Sequence, residues 1–515
     1  MPSREPAFLL VSTFLGADRR NNAILTMSTK DSILVFVSYL IFSILETQGS
    51  QNFVLLISFD GFRYDYLEKY RDSLPTLTKI AQQGSRPDYV QNVFPGETFP
   101  NHYSIVTGLY PESHGIIANN IYDPVFNASF TMMTNDSRWW DSGEPIWVTN
   151  EKQGHKSGNC FWPGYDVKIK GQEVSLRPNS SYGKPFAENE NLMPWKDRVD
   201  LVVGWFNKSD PPSFVSLYFE EPDEVGHVHG TNSPQLAKCL SRLDDVTIYL
   251  MQSLKKLDVF DRINFIFTSD HGMIDYNTSN CINIDKYVDP ESYIFWTCGS
   301  TKFLITNSSS TTLESLYKDF KTAEKETKGL IKVYKKQKIP EKFHYSHNRR
   351  IADIVVMVTP RYILNASKCR RSTKFPNVTY GAHGYSPFFP SMHPYLIAYG
   401  PAFKQGYRPG VIDILDLYPL MCHILDIKPA ANNGSLDRIR HVLRSGWIQT
   451  HSKELIALGI GSVILILACI LATVTVWKRV KRKLAGRPVR FNRNMAEWDQ
   501  PLMDSDEEDG EIIVM

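Results

Sequence analysis

Phe53-Val-Leu-Leu-Ile-Ser-Phe59 runs straight into Asp60-Gly61. An apolar run this short and this continuous is a strand covered on both faces. Phe214-Val-Ser-Leu-Tyr-Phe219 repeats the pattern and ends at Glu220-Glu221-Pro222-Asp223. Ile263-Asn-Phe-Ile-Phe-Thr268 repeats it again and ends at Ser269-Asp270-His271-Gly272. Residues 395–398 read as a fourth strand. Helical spacing occupies 74–83, which stops at Gly84, and 413–425. Strands alternating with helices predict a mostly parallel central sheet in an α/β/α sandwich.

Asp60, Asp223 and the Asp270-His271 pair each fall just past the C-terminal end of a strand, the edge where open parallel sheets bind ligands. Asp223 and His227 stand four residues apart, on one side of a helical turn. His383 precedes Gly384, whose missing side chain lets the backbone pass close to a site. A lone D-x-x-x-H is more often a surface ion pair, so the joint placement at strand ends carries the reading. Carboxylate and imidazole ligands suit zinc, and two such sets suit two ions. Thr98, in Phe94-Pro-Gly-Glu-Thr98-Phe-Pro-Asn-His-Tyr103, falls near the start of a helix, where N–H groups favour an anion. By itself a threonine there reads as a cap. Beside a metal ion its hydroxyl becomes a nucleophile, because the ion lowers its pKa.

The chain has 515 residues, 42% apolar and 22% charged, with a net charge of +2. That balance provides no field for a nucleic-acid polymer. Seven cysteines form no CxxC pair, which argues against a zinc ribbon. Residues 33–45 are apolar, follow Lys30 and precede Gln48-Gly49-Ser50, as in a secretory signal, with Met27 a usable start. Residues 455–477 carry no charge and, at about 1.5 Å per residue, span a bilayer core of about 30 Å. Lys478, Arg479, Lys481, Arg482 and Lys483 follow, which puts the C-terminus inside and 51–445 outside. Asn127, Asn135, Asn179, Asn207, Asn277, Asn307, Asn365, Asn377 and Asn433 open glycosylation sequons, all in that outer segment. The resulting plan is an N-terminal extension and signal over 1–50, a catalytic domain over 51–445, a linker over 446–454, the span, and a cytoplasmic tail over 478–515. An oxidising outer compartment also predicts disulfides among the six cysteines before Cys469.

The segments Ser58-Phe-Asp-Gly-Phe-Arg63, Thr98-Phe-Pro-Asn-His-Tyr103, Thr107-Gly-Leu-Tyr-Pro-Glu-Ser-His-Gly-Ile116, Phe161-Trp-Pro-Gly164, Glu220-Glu-Pro-Asp223, Thr268-Ser-Asp-His-Gly-Met273 and Ala382-His-Gly-Tyr385 occur in one order. Through them the chain resembles the ectonucleotide pyrophosphatase/phosphodiesterase family of the alkaline phosphatase superfamily, and its short members with a C-terminal anchor above all. The resemblance implies an alkaline phosphatase-like fold and two zinc ions. Asp223, His227 and His383 would hold one ion, and Asp60, Asp270, His271 and Thr98 the other. It implies that Thr98 attacks phosphorus and that Asn119 hydrogen-bonds a phosphate oxygen. Phe99, Trp162, Asp166 and Tyr218 match positions of the nucleoside pocket, with Tyr182 or Phe186 as a further aromatic. The implied substrate is an extracellular nucleotide, a dinucleoside polyphosphate such as diadenosine triphosphate in particular. The same family also hosts choline-lipid phosphodiesterases, and a catalytically weak adhesion ectodomain is a further alternative. One departure stands out: relatives place a lysine where this chain has Glu97. If Glu97 faces substrate it disfavours nucleoside triphosphates; the alternative is that it points to solvent.

Overall fold

The computed structural model describes residues 52–186, 191–295, 301–306, 312–366, 378–445 and 450–485. The expected signal segment, Asn307, Asn377, Cys298, Cys369 and the acidic tail lie outside these residues. By its contacts the chain divides into two compact units, Met1–Arg444 and Ser445–Met515.

The core of the first unit is a five-stranded sheet. Its strands are β1 (Phe53–Phe59), β2 (Ser157–Cys160), β3 (Phe214–Phe219), β4 (Ile263–Thr268) and β5 (Leu396–Tyr399), in the spatial order β5-β4-β1-β3-β2. β1 runs parallel to β3 and β4, and β3 parallel to β2; only the edge strand β5 is antiparallel. All seven residues of β1 are buried, and each buried Leu, Ile or Phe of that strand contributes about 1.5–3 kcal/mol. Phe53, Leu55, Ile57 and Phe59 pack into a core shared with α1 (Pro75–Gln83), α3 (Trp195–Phe206) and α5 (Pro234–Leu254). α6 (Leu417–Leu425) also packs on β1 and meets α2 (Thr98–Thr107). α4 (Asp223–His229) follows β3 directly.

A second, antiparallel sheet joins Tyr293–Phe295, Thr301–Thr306, Ile354–Val358 and Ile331–Lys335. Its apolar face packs with the helix Leu313–Glu326 and reaches Ala382 and Tyr385 beside His383.

Two expectations change. The helix expected over 413–425 begins later: Val411–Asp413 pairs with Tyr89–Gln91 as a short strand, and a 3₁₀ turn precedes α6. Asp413 accepts a hydrogen bond from the Leu415 N–H, which ends the strand there. Cys160, Cys239, Cys281 and Cys422 are unpaired, and the first, second and fourth are buried, so none of these four forms a disulfide. In the second unit, α7 (Thr450–Ala485) is one continuous helix whose described apolar side chains, from Ile464 to Leu484, are exposed. Among the described residues no helix is long and apolar enough to cross a membrane.

Candidate metal centre

The sheet delivers three acidic segments to one edge. Asp60 leaves β1, its N–H bonded to Phe219 O at the end of β3. Gly61 follows with φ +68°, and a Cβ there would stand 2.8 Å from Asp223 Oδ1. Only glycine allows both that backbone and that approach. α4 then brings His227 back over Asp223, Nε2 to Oδ2 3.2 Å. His383 Nε2 lies 3.7 Å from Asp223 Oδ1. His271 Nε2 lies 3.0 Å from Asp270 Oδ2 and 3.6 Å from Asp60 Oδ1. The ligand atoms of Asp223, His227 and His383 form one compact group, those of Asp60, Asp223 and His271 a second that shares Asp223, and those of Asp60, His102 and Asp270 a third.

Each imidazole is anchored by its other nitrogen. Nδ1 donates to a backbone carbonyl in all three: His227 to Gly381 O (3.0 Å), His383 to Gly96 O (2.9 Å) and His271 to Gly272 O (3.0 Å). A carbonyl only accepts, so Nδ1 carries the proton and Nε2 turns a lone pair inward, the arrangement typical of metal-ligating histidine. The carboxylates follow the same logic. Tyr218 OH donates to Asp60 Oδ2 at 2.6 Å. Gly61 N–H and Ser269 Oγ–H hold Asp270 Oδ1, each at 3.1 Å. What remains are Asp60 Oδ1, Asp223 Oδ1, Asp270 Oδ2 and His271 Nε2, all buried and without a hydrogen-bond partner among the described residues. Four buried, inward-facing lone-pair atoms are costly unless a cation meets them. The side chains fit zinc: ligands of a tetrahedral ion at about 2.0–2.1 Å stand about 3.3 Å apart.

The electrostatics follow from the crowding. Burial, then the charges of Asp270 and Asp223, push the Asp60 carboxyl well up. Burial opposes ionisation of Asp223 and Asp270 too, but His227 and His383 hold the first below the usual carboxylate range, and His271 and His102 the second. Burial and the neighbouring His271 push His383 down to about 3. For His271 burial is outweighed by Asp270, which raises it to about 8.

Thr98 is the first residue of α2 and nearly buried. His102, one turn on, donates Nδ1–H to Thr98 O (2.9 Å) and meets Ser58 Oγ through Nε2 (2.8 Å). It also lies 3.5 Å from Asp270 Oδ2, yet both of its nitrogens are engaged, so it braces the Thr98 turn. The motif around Thr98 assigns His102 no role; its i, i+4 spacing from Thr98 on one helix face is the signal for it. Asn119 accepts the Phe99 N–H through Oδ1 at 2.9 Å, which fixes its amide with Nδ2 as the remaining donor.

The aromatic residues divide. Phe186 packs on both Phe99 (4.8 Å) and Tyr218 (4.9 Å), joining them in one group. Asp166 pairs at 2.7 Å with Lys184 of the same loop. Trp162 stands apart: fully buried, it donates Nε1–H to His102 O and supports α2. Glu97 neither faces solvent nor lies open; it is 7% exposed and accepts the Asn119 N–H.

Residues 54–386 match the family model for type I phosphodiesterase / nucleotide pyrophosphatase. The chain is 38% identical over 426 residues to the bis(5'-adenosyl)-triphosphatase of Homo sapiens, covering 81% of this chain and 88% of that protein. It is 35% identical over 441 residues to ectonucleotide pyrophosphatase/phosphodiesterase family member 5 of Homo sapiens, covering 85% and 83%. Among solved structures it is similar to murine ectonucleotide pyrophosphatase/phosphodiesterase 5, an inactive threonine-to-alanine variant in complex with AMP. That likeness has a TM-score of 0.69 at 34% identity and covers 77% of this chain and 100% of the other. With an alkaline phosphatase-like sheet, a ligand cluster at its C-terminal edge and these matches, the chain belongs to the ectonucleotide pyrophosphatase/phosphodiesterase family.

Proposed function

We propose that the chain is a two-zinc ectoenzyme that cleaves phosphodiester and pyrophosphate bonds of extracellular nucleotides, dinucleoside polyphosphates such as diadenosine triphosphate foremost. The observation that carries this is the set of buried lone pairs on Asp60, Asp223, Asp270 and His271, beside the helix start that bears Thr98. Asp223, His227 and His383 would hold one ion, and Asp60, Asp270, His271 and Thr98 the other. Two zinc ions supply charge neutralisation on phosphate and a lowered hydroxyl pKa.

The chain's own groups then divide the work. Thr98 Oγ gives up its proton to water and attacks phosphorus in line; a P–O bond to Oγ forms as the bond to the leaving phosphate or alcohol breaks, and a leaving alcohol takes up a proton from water. A threonyl-nucleotide results, and water cleaves it to a nucleoside 5'-monophosphate. At the α2 N-terminus only the Thr98 N–H is left to meet the phosphate, because Phe99 N–H is bonded to Asn119, Pro100 has none and Asn101 N–H is bonded to Glu97 O. Asn119 Nδ2 donates to the charge that builds on the phosphate oxygens. Phe99, Phe186 and Tyr218 would offer an aromatic wall for the base.

The relative from Homo sapiens that is named a bis(5'-adenosyl)-triphosphatase supports this substrate class. An outer location with a C-terminal anchor over 455–477 rests on that apolar run and the basic cluster after it. The sequons Asn127, Asn135, Asn179, Asn207 and Asn433 are exposed, as glycosylation requires. The test is a panel of diadenosine triphosphate, p-nitrophenyl thymidine monophosphate and glycerophosphocholine on the purified outer domain, before and after chelation and after zinc is returned. Zinc-dependent cleavage of the first two, abolished by Thr98→Ala, supports the proposal. Cleavage of glycerophosphocholine alone favours a choline-lipid phosphodiesterase. Activity untouched by full metal removal overturns the metal reading.

A further inference from the structure

His227 and His383 come from two elements that meet through bare backbone. His383 follows the strand Thr379–Ala382, which pairs antiparallel with Ile274–Asn277 in the register Gly381↔Asp275. His271 stands shortly before the second of these strands. α4, which carries Asp223 and His227, lies against this ribbon. A Cβ on Gly381 would stand 2.3 Å from Gly226 O and 2.9 Å from Met273 Sδ, so only glycine allows the approach. Across that contact Gly381 O accepts the His227 Nδ1–H. The aim of the His227 ring therefore depends on where α4 sits against the ribbon.

A helix of 7 residues does not hold itself in place. α4 ends where the Gly230 N–H closes on Gly226 O at 2.8 Å, and the two residues that follow are tied down from both sides. On one side Asp275 accepts the Thr231 N–H through Oδ1 and the Asn232 Nδ2–H through Oδ2, the latter at 2.7 Å. Both bonds are charge-assisted and leave neither carboxylate oxygen idle. On the other side Lys69 Nζ donates to Thr231 O at 2.7 Å and to Asn232 Oδ1 at 2.6 Å, and Tyr70 OH donates to Thr231 O at 2.7 Å. Lys69 and Tyr70 belong to the segment that leaves β1 through Asp60. The segments that bear Asp60, Asp223 with His227, and Asp270 with His271 thus meet again at Thr231 and Asn232, and no residue of this knot belongs to a ligand group.

We infer that Asp275 is a positioning residue for the ion of Asp223, His227 and His383. By holding Thr231 and Asn232 it keeps α4 pressed on the ribbon, and so keeps His227 Nε2 turned toward Asp223. Asp60, Asp270 and His271 leave β1 and β4 directly and do not depend on α4 for their place. The inference rests on the two-zinc reading and adds that the two ions depend unequally on a residue that touches neither.

Zinc is titrated into the intact, metal-stripped protein against a competing chromophoric chelator. The parent takes up two ions. Asp275→Asn keeps the shape of the side chain but removes its charge and one acceptor; it weakens one ion about tenfold or more and leaves the other within about twofold. Lys69→Met loosens the same loop from its other side and weakens the same ion; Lys69 is exposed, so this variant keeps the test available if Asp275→Asn folds poorly. In a His227→Ala background, where the link is already cut, Asp275→Asn changes the remaining zinc affinity no further. Equal weakening of both ions, a fall in Tm with both affinities unchanged, or a further loss in the His227→Ala background overturns the inference, because Asp275 would then serve the fold at large. A parent that takes up fewer than two ions overturns the two-zinc reading and the inference with it. A parent with two ions, and variants that bind both as tightly, overturn the inference alone.

Discussion

Glu97 Oε2 accepts the backbone N–H of Asn119 at 2.8 Å, while Asn119 Oδ1 accepts the N–H of Phe99. Two residues on either side of Thr98 thus clamp the group that would donate to phosphate. Glu97 precedes α2 but caps none of its N–H groups; its carboxylate is committed to Asn119. A hydrogen bond to a buried charged group contributes about 1.5–3 kcal/mol. Losing about 1.4 kcal/mol of it costs about tenfold in rate. Glu97→Gln accordingly lowers kcat/KM about tenfold on every nucleotide. Glu97→Lys lowers cleavage of diadenosine triphosphate and of nucleoside triphosphates alike, because Asn119 loses its acceptor in both cases. Steady-state kinetics on the two substrates decide it: a selective gain on the triphosphate for Glu97→Lys returns Glu97 to a place facing substrate.

Tyr218 OH donates to Asp60 Oδ2. Burial and the Asp60 charge push its phenol well up, so it stays protonated and keeps donating. Tyr218→Phe retains the ring against Phe186 and removes only the donor. Losing such a support behind a ligand costs about 10–100-fold in metal affinity. Zinc titration of the stripped enzyme should show that loss, with kcat and KM near parent values once zinc is in excess. A raised nucleotide KM at saturating zinc, with metal affinity unchanged, would instead assign the hydroxyl to substrate.

The strands β1, β3 and β4 were legible to the residue, because a run buried on both faces has no polar position to blur its ends. The clustering of Asp60, Asp223, Asp270 and His271 was legible for the same reason: acids and imidazoles directly past such runs have no role in a core. The supports were not. Tyr218 reaches Asp60 only because β3 pairs with β1 in the register Ser58↔Tyr218, and register across more than 150 residues of sequence is not written in either strand. Nor could the sequence show that Trp162 would face His102 while Phe99 faced Phe186, since all four are apolar or aromatic residues of one local type. Cys160, Cys239, Cys281 and Cys422 do not pair, since compartment predicts pairing but only geometry permits it; Cys298 and Cys369 lie outside the described residues.

Gly61 is a further point where the backbone sets the chemistry. With φ +68° and 2.8 Å between a would-be Cβ and Asp223 Oδ1, an alanine there must displace the carboxylate that two of the three candidate ligand groups share. Backbone strain adds about 1 kcal/mol or more. Gly61→Ala is expected to bind fewer than two zinc ions per chain by elemental analysis and to lose activity by at least 100-fold. Two ions bound with near-parent activity would mean that Asp223 is not held where this approach puts it.

The loop that follows Asn119 is held by a buried ion cluster. Asp123 accepts from Arg349 Nε at 3.0 Å and Arg350 Nε at 2.8 Å, and Arg350 also donates to Gly115 O and Trp139 O. Burial would raise the Asp123 carboxyl, but the two guanidinium groups hold it down to about 2. Its unfolded value is about 3.9, so the folded state binds this proton less readily than the unfolded chain. The stabilisation is therefore complete above about pH 5 and is lost as pH falls toward 2. Asp123→Asn leaves Arg350 buried without its counter-ion, at a cost of about 3–5 kcal/mol at neutral pH. In urea unfolding of parent and variant between pH 6 and pH 3, the gap between the two midpoints should narrow as the parent's carboxylate takes up its proton. A gap that stays constant across that range would show that Asp123 acts through shape and not through charge.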